Sequence, residues 1–255
     1  MQAQILTLLI LVNAGSFAAS VSPFTPLSAE EIQSATRALR ERNYLREKSE
    51  IASLTLIEPN KEEVGFPDRR AKAVVIDHDQ KNSFEIEVVL KRGAGGVAGN
   101  LRLISNGQPL ETYPEFTTAA ETVRTNAEWQ AAIRRRGVTN FNDVSVNVWA
   151  GGHIPPRSAK GRRYGRGLSY LSRGQTNQQG PPIEGIEAII DLNEQRVLEV
   201  IDTGVRAVPR ESTDFFDERV RGTSRAPLKR MMIVQPDGPS FEAEDFSVRW
   251  DQWRF

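Results

Sequence analysis

The chain has two histidines, His78 and His153, and where they fall decides which chemistry to look for first. His78 lies in Asp77-His78-Asp79-Gln80-Lys81-Asn82, an Asx-rich run with the composition of a hairpin loop. His153 follows Gly151-Gly152 in a glycine-rich loop. A metal that needs several nitrogen donors cannot be held by two solvent-side imidazoles that form no His-x-His pair, so both read as structural or exposed side chains. Asp214, Asp217 and Glu218 invite comparison with an acid–base pair. They sit beside Arg219 and Arg221 in a connector, however, and consecutive residues there offer no cleft that would hold two carboxyls apart. Ser240 has no Gly-x-Ser-x-Gly elbow, and its only conceivable base, His153, belongs to another segment. The absence of cysteine removes disulfides, thiolate ligands and a cysteine nucleophile.

Two further stretches could bind phosphate or nucleic acid. Arg157-Ser158-Ala159-Lys160-Gly161-Arg162-Arg163-Tyr164-Gly165-Arg166-Gly167 is the most basic run and carries an aromatic, but between strands and balanced by acids elsewhere it reads as a solvated loop. Gly93-Ala94-Gly95-Gly96-Val97-Ala98-Gly99 has no Lys-Ser/Thr after it and no helix begins there, so it reads as a flexible hairpin end. With Lys+Arg 33 against Asp+Glu 33 there is no net field to draw a polyanion or an anionic membrane. Nucleic acid is not an expected partner.

These residues must be positioned by elements, and the elements are readable in outline. The apolar run Ile5 to Val12, followed by Ser16, Ala18 and Ala19, resembles a secretory signal over residues 1–19, although its n-region lacks Lys and Arg. It is too short for a stable membrane span, and secretion is the expected localisation. Ser28-Ala29-Glu30-Glu31 is a capping box. Ile32, Ala35 and Leu39 then predict an amphipathic helix of about five turns ending near Arg46. Strands are expected over 51–58, 71–77 and 84–90, where Phe84, Ile86, Val88 and Leu90 alternate with Glu85 and Glu87, and more weakly over 100–104.

Residues 108–116 read as a linker, after which the pattern recurs. A helical stretch is expected from Thr117, and a second helix over 127–136, capped by Asn126 and closed by Gly137. Strands follow over 144–149, 168–171, 186–191 and 196–201. Two helix-then-meander blocks with 39% hydrophobic content to fill their cores give an α+β fold of two small cystatin-like domains.

The order of several short motifs carries a family resemblance. Ser22-Pro23-Phe24-Thr25-Pro26-Leu27-Ser28-Ala29-Glu30-Glu31-Ile32 is followed by Pro67-x-Arg69-Arg70-Ala71, Val146-x-x-Trp149-x-x-Gly152 and Pro182-Ile183-Glu184-Gly185-Ile186. Then come Ala188 to Leu192, Val197 to Val205, Pro209, and Gln235-Pro236-Asp237-Gly238-Pro239-Ser240-Phe241 with the aromatic run Trp250 to Phe255. This order resembles the N-terminal region of copper-containing primary-amine oxidases, over essentially the whole chain after residue 21.

The resemblance implies an N2-like domain over 22–110, an N3-like domain over 115–222, and over 223–255 the truncated start of a catalytic domain, the first strands of a β-sandwich. In that family, copper held by three histidines and a topaquinone made from a tyrosine in an Asn-Tyr-Asp/Glu sequence oxidise primary amines to aldehyde, ammonia and hydrogen peroxide, and the full-length enzyme is a homodimer. Asn43-Tyr44 is followed by Leu45 and ends a helix, so Tyr44 reads as a packing aromatic. The copper ligands and the quinone precursor are thus expected outside this chain, and no catalytic, cofactor-binding or metal residue is assigned within it. The chain is expected to serve as an inactive scaffold. The alternative is a freestanding secreted binding module of two cystatin-like domains, with the aromatic tail as an added strand for a partner.

Overall fold

The computed structural model describes residues 23–60, 68–91, 95–244 and 247–255. The signal-like segment 1–19, Ser22, Pro67, Gly93 and Ala94 lie outside the described residues. The chain divides into two units, one closing at Asp214 and the other spanning Phe215–Phe255.

In the first unit, the Ser28 hydroxyl accepts from the Glu31 amide at 3.2 Å and the Glu31 carboxylate accepts from the Ser28 amide at 2.9 Å. This reciprocal cap starts helix α1 (Ala29–Glu41). The helix has 13 residues, shorter than the spacing predicts, because Asn43 adopts φ 57°. An asparagine in the left-handed region ends a helix at little steric cost. Ala35, Ala38 and Leu39 are buried against an antiparallel sheet of β1 (Ser49–Ile57), β2 (Arg69–Asp77), β3 (Asn82–Lys91) and β4 (Gly95–Leu103), paired in sequence order.

The alternation in β3 does what period two dictates. Phe84, Ile86, Val88 and Leu90 are buried, while Glu85 and Glu87 pair outside with Arg102 and Arg70. Tyr44 lies edge-on to Phe84, ring centroids 6.2 Å apart. The fourth strand begins at Gly95, five residues earlier than expected, so part of the glycine run is strand. A Cβ on Gly96 would come within 3.0 Å of the Ser34 carbonyl oxygen and 3.1 Å of Val88, and only the bare backbone lets β4 pass so close to α1.

The second module repeats this plan with two helices, α2 (Tyr113–Arg124) and α3 (Ala127–Arg135), on a sheet of β5 (Val144–Ala150), β6 (Tyr164–Leu171), β7 (Pro182–Asp191) and β8 (Arg196–Asp202). Helix α2 starts four residues before Thr117: Thr112 is its N-cap, Glu115 completes a capping box, and Pro114 occupies the first turn. The proline that reads as linker punctuation is a helix starter, since its missing amide would be unpaired there anyway. Asn126 caps α3 as expected, accepting from the Trp129 amide at 2.9 Å. Trp129, Ile133, Val123 and Ala119 pack on Val144, Val146 and Ile190, and the buried Trp129 indole donates to the Ser169 hydroxyl at 3.0 Å.

The basic run is not one solvated loop. Tyr164 to Gly167 belong to β6, and Arg163 and Tyr164 are buried. The Tyr164 ring lies on Gly151, where a Cβ would meet it at 2.5 Å, and its hydroxyl donates to the Gly151 carbonyl at 2.6 Å.

In the second unit, Asp217 caps a short helix α4 (Glu218–Arg221), and β9 (Phe241–Glu244), β10 (Ser247–Trp250) and β11 (Trp253–Arg254) form an antiparallel sheet in the order β11-β10-β9. Register places Phe241 and Trp253 opposite Trp250, and Ala243 opposite Val248, on one face. Glu242 and Arg249 pair on the other. Phe241, Trp250, Trp253 and Phe255 are exposed, as are Leu228, Met231, Met232, Ile233 and Val234.

One device anchors both modules of the first unit. Arg69, the first residue of β2, donates through Nε to Glu31 Oε1 at 2.6 Å and through Nη2 to Oε2 at 3.1 Å, and also grips the carbonyls of Pro23, Thr25 and Pro26. Arg163, just before β6, donates through Nε and Nη2 to the two oxygens of Glu115, each at 2.7 Å, and takes the carbonyls of Pro109 and Leu110. In each case the arginine of a second strand holds the capping-box glutamate and the segment leading into the helix. Burial pushes Glu31 up, but the Arg69 hydrogen bond, the Ser28 amide and the Arg69 charge together outweigh it and leave its carboxyl lowered.

The Glu115 side chain is 1% exposed, so Arg163→Met strands a buried carboxylate and is expected to cost about 3–5 kcal/mol in urea unfolding. The double change Arg163→Met with Glu115→Leu should recover most of that loss. A cost below about 1 kcal/mol for the single change, the range of a surface pair, would show that the clamp does not hold the module.

Candidate functional site

The polar side chains of the first unit converge where the two modules meet. The β2–β3 turn is shaped by Asp77, whose carboxylate accepts the Gln80 amide at 3.0 Å, and the β7–β8 turn by Asp191, which accepts the amides of Asn193 and Glu194 at 3.0 and 2.9 Å. Asx chemistry of this kind fixes tight turns. It aims His78 and Lys81 of one module at Asn193 and Glu194 of the other. His78 Nδ1 lies 3.1 Å from Asn193 Oδ1, and Lys81 Nζ donates to Glu194 at 2.6 Å. Hydrogen bonds from Lys81 and then Arg196 pull the Glu194 carboxyl down to about 2. His78 Nε2 lies 3.6 Å from Glu50 and 3.9 Å from Glu115, and the Thr112 hydroxyl donates to Glu50.

The histidine expected on the solvent side is therefore mostly buried, with its side chain 13% exposed. Burial follows from a contact 115 positions away in sequence. His153 is exposed on its loop.

A cavity of about 230 Å³ opens beside this seam, lined by Lys81, Lys160, Arg162, Arg163, Asp191 and Asn193. Most of its cations are already matched. Arg162 donates to Asp191 at 2.7 Å, Arg163 holds Glu115, and Lys81 holds Glu194. The arrangement is that of a charged joint. On the far edge of the second module, the fully buried Arg136 donates to both oxygens of Asp202 and to the carbonyls of Ala132, Glu184, Gly185 and Gly204. Hydrogen bonds from Arg136, then Arg135, then the Gly204 amide, hold the Asp202 carboxyl far below the usual range.

The other sequence candidates do not come together. Tyr44 packs on the first sheet. Asp214 accepts the Thr176 amide at 3.1 Å, while Asp217, in the other unit, caps α4 and holds Arg219 at 2.6 Å. Ser240 is exposed.

The donors present do not fit copper. Among the described residues no three His, Cys, Asp or Glu side chains form a metal-binding group. His78 is engaged by Asn193 and faces carboxylates, one of them already gripped by Arg163. The seam itself escaped sequence reasoning: Thr112-Tyr113-Pro114-Glu115 reads as linker, although its capping-box signature could have marked Thr112 and Glu115.

The matched family domains coincide with the two modules. Residues 28–94 match the AGAO-like N2 domain, and residues 114–219 match the copper amine oxidase N3 domain. The chain belongs to the copper amine oxidase family and corresponds to its N-terminal region. It is 31% identical over 241 residues to histamine oxidase of Arthrobacter globiformis, covering 92% of this chain and 35% of that protein. It is 32% identical over 237 residues to primary amine oxidase of Arthrobacter sp. (strain P1), covering 91% of this chain and 36% of that protein. The fold is also that of a copper-containing benzylamine oxidase from Hansenula polymorpha, with TM-score 0.66 and 15% identity over 92% of this chain and 40% of the other. The chain thus spans little more than a third of the length of the curated relatives it matches.

Because the folded Asp202 carboxyl titrates below its unfolded counterpart, its contribution to stability is complete above the ordinary aspartate range near 3.9 and is lost as pH falls through and below it. Asp202→Asn should therefore flatten the acid limb of a plot of urea midpoint against pH between about 5 and 2. An acid limb as steep as that of the parent would show that Arg136 does not depend on this carboxylate.

Proposed function

We propose that this chain is the N-terminal, scaffolding part of a secreted, homodimeric, copper- and topaquinone-dependent primary-amine oxidase. The whole enzyme would convert a primary amine, dioxygen and water to aldehyde, ammonia and hydrogen peroxide, with the copper ligands and the quinone-forming tyrosine lying beyond residue 255. The observation that carries this reading is the span of the matches: the chain covers about a third of the relatives, and what it matches there is their N2 and N3 domains. Residues 1–19 serve as the export signal, 22–110 and 115–222 as the two small domains, and 223–255 as the opening of the catalytic domain.

In this reading the chain's own residues supply shape. The Arg69 and Arg163 clamps and the seam at His78 hold two small sheets, and the apolar face of β9–β11 waits for further strands. A family member's N2 and N3 domains would do the same for a catalytic sandwich.

The full chain incubated with Cu²⁺ and oxygen should acquire no quinone absorbance and release no hydrogen peroxide from benzylamine or an alkylamine. Turnover in that assay would overturn the scaffolding role. The exposed aromatic face should also cause self-association, since unpaired sheet edges and apolar patches template it. Trp250→Ser together with Trp253→Ser should shift the sedimentation profile toward monomer. An unchanged, already monomeric profile in the parent would mean that this face needs no covering strands.

A further inference from the structure

The cavity beside the seam has more donors than its own acceptors use. Lys81, Lys160, Gly161, Arg162 and Arg163 line it, with Asp191 as the acid among them. Asp191 is already filled: Oδ1 accepts the amides of Asn193 and Glu194, and Oδ2 accepts Arg162 at 2.7 Å. The acids that balance the other cations are filled in the same way. Arg163 holds Glu115, while Lys81 and Arg196 hold Glu194.

Several N–H groups are left over. Arg162 turns Nη1 to Asp191 at 2.7 Å and to Glu194 at 3.7 Å, and its Nε and Nη2 have no partner among the described residues. Lys81 gives one of its three protons to Glu194. The Lys160 ammonium has neither an ion pair nor a hydrogen bond among the described residues, so its charge is the one the pairs do not cancel.

A turn places that charge. The Arg162 amide donates to the Ala159 carbonyl at 3.0 Å, with Lys160 at φ −58° and ψ 126° and Gly161 at φ 72°. These are the angles of a type II turn, which calls for glycine at its third position. Its base is fixed, because Ala159 is fully buried against Tyr164 and Ile189. Its tip therefore holds Lys160 at the cavity while the Gly161 amide, outside the turn's hydrogen bond, stays unpaired in open space.

We propose that this cavity binds a small tetrahedral oxyanion, inorganic phosphate or sulfate. Lys160, the Gly161 amide and the spare N–H groups of Arg162 would hold it from the second module, and Lys81 would reach it from the first. Water would bring lone pairs but no charge, and chloride would bring charge without directed acceptors. A tetrahedral dianion brings both, with oxygens enough to meet donors on two sides. At about 30 Å³ of liquid per water, a cavity of about 230 Å³ has room for such an ion and part of its hydration shell. A nucleic-acid backbone is not the favoured source, because the chain carries no net field to draw one. The ion would stitch Lys81 to the Lys160 turn and so strengthen the joint by mass action. This goes beyond the scaffolding reading and does not depend on it.

The test uses the full chain in a buffer free of phosphate, at an ionic strength held constant with chloride. Inorganic phosphate and sulfate are titrated in by calorimetry, and the urea midpoint is measured in each salt. Saturable binding of one ion is expected, with a dissociation constant on the order of 1 mM. Phosphate or sulfate should raise the urea midpoint above its value in chloride. Lys160→Gln removes a side chain that pairs with nothing in the fold, so in chloride its midpoint should equal the parent's. Its phosphate affinity should fall about tenfold, whereas Lys72→Gln, at an exposed position on β2, should bind as the parent does. The proposal is overturned if neither ion binds saturably, if chloride raises the midpoint equally, or if Lys160→Gln keeps the parent's affinity.

Discussion

Everything in the first unit depends on an arginine that closes a helix from outside. A helix start leaves amides without partners, and each module answers with a hydroxyl at the N-cap and a glutamate three residues on. That solution leaves a carboxylate at the helix start, partly buried at Glu31 and fully buried at Glu115. Arg69 and Arg163 neutralise it, and with the donors left over they take the backbone carbonyls of the segment leading into the helix. One side chain thus joins cap, entry segment and sheet, and fixes where each helix begins on its sheet. The same atoms do the same work in both modules, although the sequences around them share little.

The second clamp also decides where the modules join. By fixing Glu115 it sets the position of Thr112 and of the acid that His78 faces, so the joint between the modules is an extension of the helix start. Charged groups there come in matched pairs, and the cavity beside them has cationic walls with little charge to spare. Such a seam specifies one mutual placement more than it adds stability, since paired buried charges return little beyond their desolvation cost. A defined placement is the property that the proposed scaffolding role would need.

Much of the fold could be read directly. Ser28 and Glu31, Asn126 and Gly137, and the alternation from Phe84 to Leu90 each reported an element through interactions within a few residues. Three local readings failed for identifiable reasons. Asn43 ended α1 because a left-handed residue outranked apolar spacing. Pro114 started a helix instead of interrupting one. The glycines from Gly95 onward and from Gly165 onward proved to be strand and not flexible loop, with close neighbours crowding any side chain at Gly96 and Gly165. The seam went unread, although the capping-box residues Thr112 and Glu115 offered one local signal of it.

What the sequence determined by itself was whatever rests on near neighbours: caps, turns, the faces of helices and strands, and through the order of its motifs the family. Tertiary structure decided the fate of Arg163 and His78. The one sits among the basic residues of what reads as a loop and the other in a polar turn, yet both are enclosed, because their partners lie 48 and 115 residues away. Burial of a charge is set by what the fold brings against it, and no local pattern records that.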